Sequence, residues 1–103
     1  MIHVVLTRHQ GMIRSITIRG HAGSDVYGKD LVCAAVSAIA FGAGNALDEL
    51  GSDCECSAGN NRIEFAVRTE DATTQTILST VMIQLETVHE GNSEFIDIRK
   101  MEV

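Results

Sequence analysis

The sequence predicts an α+β fold, a largely antiparallel sheet with two helices packed in layers. Three observations lead there. Apolar residues alternate with polar ones in short runs near both ends and in the middle of the chain, which is strand spacing. Two longer stretches carry helical patterning, and the resulting order is ββαββαβ. The chain has 103 residues, the size of one domain spanning 1–103.

The first run, 2–8, places Ile2, Val4 and Leu6 on one face. His9-Gln10-Gly11 supplies a short turn, and 13–19 alternates again, with Ile16 and Ile18 opposed to Ser15 and Thr17. Together they read as a hairpin. Residues 20–29 hold three glycines and no periodicity, so they read as a loop. Asp30 is a good N-cap, because its carboxylate can accept the N–H of Val32 or Cys33. The helix it opens should run from Leu31 to about Leu50 and stop at Gly51. Its apolar character goes nearly all round, the pattern of a helix buried between layers. One row of it is small (Ala34, Ala38, Gly42, Ala46), and a second is more polar (Cys33, Ser37, Phe41, Asn45, Glu49).

Residues 53–58 and 62–68 form a second hairpin around Gly59-Asn60-Asn61. A second helix covers 71–90 with Ile77, Leu78, Val81, Met82, Leu85 and Val88 in one stripe, and Gly91 ends it. Residues 94–100 return to strand alternation.

Composition narrows the function classes. A formal net charge of −6 argues against a nucleic-acid surface, which needs clustered Lys and Arg. It suits a basic partner. The opening residues lack the basic region and apolar core of a signal peptide. The apolar run 31–47 is short for a membrane span and carries Ser37 and Asn45. An odd number of cysteines, three, points to a reducing cytoplasm rather than a disulfide framework.

Chemistry concentrates in 20–37, GHAGSDVYGKDLVCAAVS. Cys33 falls in the first turn of the predicted helix, over the positive end of its dipole, where a thiolate is stabilised. His21 lies in a glycine-rich loop with open space beside Gly20, Ala22 and Gly23. Imidazole is the side chain best matched to proton transfer at neutral pH. A Cys33–His21 dyad follows. Asp30, as cap, and Ser37, one helical turn beyond Cys33, are its supporting residues. Gly20, Ala22, Gly23, Ser24, Asp25 and Gly28 form the loop that orders over a substrate. The Cys33 N–H, near the helix start, is a candidate donor to an oxyanion. The other histidines fit less well: His3 lies in a strand, His9 in a turn, and His89 at a helix C-terminus, where the dipole favours its cation. Cys54 and Cys56 stand on one face of a strand, but tetrahedral zinc needs two further ligands and no second close pair exists, so no metal is expected. Nothing in the sequence calls for a cofactor.

The GHA segment at 20–22, Gly28, and the run Asp30-Leu31-Val32-Cys33-Ala34-Ala35-Val36-Ser37 together resemble the signature of the bacterial ribosomal-processing cysteine proteases, the Prp family. The similarity extends to chain length, element order and the GNALDELG helix ending. Leu31 stands where other members often carry isoleucine. The resemblance implies a cytoplasmic, homodimeric peptidase with Cys33 as nucleophile and His21 as general base. It implies removal of a short N-terminal extension from a large-subunit ribosomal protein, in support of ribosome assembly. Two other classes fit the residues less completely: a non-catalytic dimeric module that binds a peptide or ribosomal protein, and a thiol redox protein. The first would leave Cys33 no more reactive than Cys54 and Cys56. The second would form a reversible disulfide and cleave nothing.

Overall fold

The computed structural model describes residues 1–21, 23 and 30–103. Its elements follow the expected order: β1 (Ile2–His9), β2 (Met12–Gly20), α1 (Leu31–Glu49), β3 (Cys54–Gly59), β4 (Arg62–Val67), α2 (Ala72–Glu90) and β5 (Ile96–Glu102). The strands form one sheet in the order β3-β4-β2-β1-β5. Every pairing is antiparallel except β1 with β5.

Local chemistry sets the turns. The β1–β2 connection is the pair Gln10-Gly11, at φ 51° and 80°, and the β3–β4 connection is Asn60-Asn61, at 52° and 59°. Positive φ at both central residues is the two-residue hairpin turn whose twist matches the strands, and asparagine tolerates it well. His9 and Gly59 thus end strands rather than sit in turns. Each helix is capped by an aspartate: Asp30 Oδ1 accepts from the Cys33 N–H at 2.9 Å, and Asp71 Oδ1 from the Thr74 N–H at 2.8 Å. α1 closes with Gly51 at φ 70°, whose N–H donates to the Asp48 carbonyl. α2 ends differently: the Asn92 side chain donates to the Val88 carbonyl.

The core lies between the two helices and one face of the sheet. Ile2, Val4, Leu6, Ile16, Ile18, Phe65 and Ile96 point into it from the strands. α1 contributes Val32, Val36, Ala40, Ala43 and Leu47, and α2 contributes Leu78, Val81, Met82 and Leu85. Each large apolar side chain fully buried there is worth roughly 1.5–3 kcal/mol. The fold is therefore two layers, and α1 is buried on one side only, not between layers. Leu31 is 79% exposed and Phe41 60% exposed. Ala34, Ala38 and Gly42 of the small-residue row also face outward. α1 has the length and apolarity of a membrane span; here five of its residues fill the core.

Candidate active site

His21 directly follows the end of β2 at Gly20, and Cys33 lies in the first turn of α1, which begins at Leu31. His21 Nδ1 stands 3.8 Å from the Cys33 Sγ, within reach of a sulfur hydrogen bond. Asp30 holds both ends of the connection. Its Oδ1 accepts from Cys33 N–H, and its Oδ2 accepts from the Gly23 N–H at 2.9 Å. One carboxylate thereby caps the helix under the thiol and anchors the backbone two residues beyond the imidazole.

The cap corrects one expectation. The Cys33 N–H points at Asp30, so in this structure it is not a free donor for an oxyanion. Gly20, taken as the start of the loop, is the last residue of β2. Gly23 is placed as described. Ala22, Ser24, Asp25 and Gly28 lie outside the described residues.

A cleft of about 220 Å³ opens beside the thiol and imidazole. One wall is α1, through Cys33, Val36, Ser37 and Phe41; these are mainly the polar row of the helix. The floor is Ile2, Ile18 and Gly20, and the far wall is the β3–β4 hairpin, with Ala58, Asn61 and Ile63. The Gly20 N–H donates to the Asn61 carbonyl at 3.0 Å and ties that hairpin to the floor. Ser37 lines the cleft, with no hydrogen bond to Cys33 or His21 among the described residues. The far wall escaped the sequence reading. Its residues are distant in the chain, and the nearest signal was the large apolar Phe41 in an otherwise polar row.

The other thiols have different surroundings. Burial pushes the Cys54 thiol up to about 12, and Cys56 beside it adds to the shift. Burial also raises Cys56. Both shifts favour the thiol over the more nucleophilic thiolate. His3 sits 3.6 Å from Asp97 on the sheet face opposite the core, and His9 Nδ1 donates to the Val103 oxygen, 2.7 Å away. Neither reaches the cleft.

A thiol and an imidazole side by side at the mouth of an apolar cleft are the equipment of a cysteine peptidase. The comparisons agree. The family model "Cysteine protease Prp" matches residues 1–97. A ribosomal processing cysteine protease Prp from Staphylococcus aureus is 35% identical over 101 residues, covering 93% of this chain and 95% of that protein. An S. aureus Prp structure with a covalently linked product peptide superposes with a TM-score of 0.91 at 30% identity, covering 97% of this chain and 99% of the other. A second S. aureus Prp structure, with a substrate peptide, gives a TM-score of 0.85 at 30% identity over the same shares of the two chains. The chain belongs to the Prp family and is a cysteine protease.

Proposed function

We propose that this protein is a processing endopeptidase that removes a short N-terminal extension from a large-subunit ribosomal protein, with Cys33 as nucleophile and His21 as general base and acid. The contact between Cys33 Sγ and His21 Nδ1 carries the reading. The names of the S. aureus relatives supply the ribosomal substrate, and the peptide in those structures supplies its class.

The chemistry is acyl transfer. His21 takes the Cys33 proton, and the thiolate attacks a peptide carbonyl. The tetrahedral intermediate collapses to a thioester as His21 protonates the leaving amine. Water, deprotonated by the same imidazole, then releases the new C-terminus and the thiol. α1 contributes the positive end of its dipole under the sulfur. Asp30 positions rather than reacts, since both its oxygens are engaged by backbone N–H groups. A cytoplasmic site of action follows from a ribosomal substrate. The acidic chain, at net charge −6, suits a basic ribosomal protein. A homodimer fits the outward apolar residues Leu31, Ala38 and Ile83, and sedimentation equilibrium tests it; a monomer at all concentrations would remove that part.

The deciding experiment co-expresses the protein with ribosomal proteins of its own organism and reads their N-termini by mass spectrometry. Wild type should shorten one of them, while Cys33→Ala and His21→Ala should leave it full length. An N-terminal pattern identical in all three strains would refute the assignment. Iodoacetamide near neutral pH should label Cys33 ahead of Cys54 and Cys56; equal rates would point to the binding-module reading.

A further inference from the structure

Outside the cleft, one cluster of soft ligands is left without a role. Cys54 and Cys56 lie two residues apart on β3, opposite Val67 and Phe65 of β4. Phe65 is a core residue, so both thiols point from the edge strand toward the helix layer. There they line a cavity of about 430 Å³ with Gly44, Leu47, Asp48, Gly51 and Ser52. The Ser52 Oγ in its wall is buried and has no hydrogen-bond partner. Cys56 Sγ makes a weak contact of 3.9 Å with the Cys54 carbonyl, and none of the three cysteines is in a disulfide.

We propose that Cys54 and Cys56 form a two-thiolate site for a soft monovalent d¹⁰ cation, Cu(I) being the natural example. Spacing selects a bridged pair over a disulfide. The Cα atoms of residues i and i+2 of an extended strand are about 6.5–7 Å apart, at the far end of the roughly 4.4–6.8 Å that a disulfide spans. An ion between the sulfurs replaces one S–S bond of about 2 Å by two metal–sulfur bonds, each roughly 2.3 Å if zinc is the guide, and the strand stays extended. Ligand count selects the ion. Among the described residues no three His, Cys, Asp or Glu side chains are close enough to hold a metal together. Zinc, which takes four ligands in structural sites, is therefore poorly served, whereas soft thiolates select Cu(I). Binding is plain ligand exchange: two S–H bonds are lost, two Cu–S bonds form, two protons leave, and copper stays Cu(I).

The test is an anaerobic titration with Cu(I) acetonitrile complex against the chelator bathocuproine disulfonate. Wild type and Cys33→Ser should each retain one equivalent, with X-ray absorption reporting two sulfur neighbours. Cys56→Ser, at an exposed position, should keep the wild-type melting temperature and bind at least ~100-fold more weakly, since even outer-shell changes cost 10–100-fold. Cys54→Ser should match it. Undiminished binding by a folded Cys56→Ser protein, or binding lost with Cys33 alone, overturns the proposal.

Discussion

Gly20 shows how a single residue sets the site. Its φ is +92°, and a Cβ built there would stand 2.5 Å from the Met1 carbonyl oxygen. Both facts demand glycine, because L side chains avoid that backbone region and the colliding atom is backbone. Gly20→Ala should therefore destabilise the fold by about 1–3 kcal/mol, the usual cost of such strain. It should also weaken the tie from Gly20 N–H to Asn61 and displace His21, the next residue. Chemical denaturation and peptidase assays on the same preparation check this. A variant as stable and active as wild type would show that the chain end near Met1 yields freely. Asp30 acts at the same scale, one carboxylate serving two N–H groups. That double use is why the Cys33 N–H expected for the oxyanion is engaged elsewhere.

At the scale of elements, the caps explain what was legible and what was not. Capping is local: Asp30 announces a helix start within three residues, so Cys33 could be placed in a first turn without any tertiary information, and Asp71, read as the first helical residue, caps α2 in the same way. Strand alternation is local as well, and the ββαββαβ order followed from it. The side on which α1 is buried was not local. Alanine and glycine carry too little apolar area for composition to separate the covered row from the open one. Ala40 and Ala43 are in the core, while Ala34 and Ala38 face out. The second cap also gives α2 a pH dependence. Hydrogen bonds from the Thr74 backbone, then its side chain, hold the Asp71 carboxyl below its ordinary 3.8. A lowered folded pKa means the unfolded chain binds more protons in that range, so stability rises with pH across it. The contribution is whole above the ordinary value and is lost as pH drops through the folded one. Asp71→Asn keeps a neutral cap and loses this dependence. The stability gap between wild type and variant should therefore shrink from about pH 6 to about pH 2 in urea titrations. A gap constant with pH would mean the carboxylate is no better held in the folded state than in the unfolded one.

The cleft exists only at the scale of the whole molecule. Its walls come from α1, the end of β2 and the β3–β4 hairpin, and the register of β2 on β4 (Ile18 opposite Ile63, Arg19 opposite Arg62) decides which side chains face Cys33. Nothing in the sequence near 33 specifies residues near 60, which is why Cys33 and His21 could be singled out as a candidate pair and the opposite wall could not. Phe41 tests whether this assembly selects substrate. It is 60% exposed, so removing its ring should cost the fold little, within about 0.5 kcal/mol as for other surface substitutions. Yet it stands two turns along α1 from Cys33 and faces the same cleft as Ile63. A large apolar side chain of a bound peptide would cover the ring, and apolar burial of that size is worth roughly 1–2 kcal/mol. That corresponds to a fall in kcat/KM of about 5–30-fold for Phe41→Ala. The loss should be confined to peptides with a bulky apolar residue near the scissile bond, because a small residue would never have reached the ring. Steady-state kinetics on a matched peptide pair, with melting temperatures for both proteins, separates the possibilities. An equal loss on both peptides would place the effect in the geometry of the proposed Cys33–His21 dyad. No loss on either would show that substrate runs past Cys33 without using this wall.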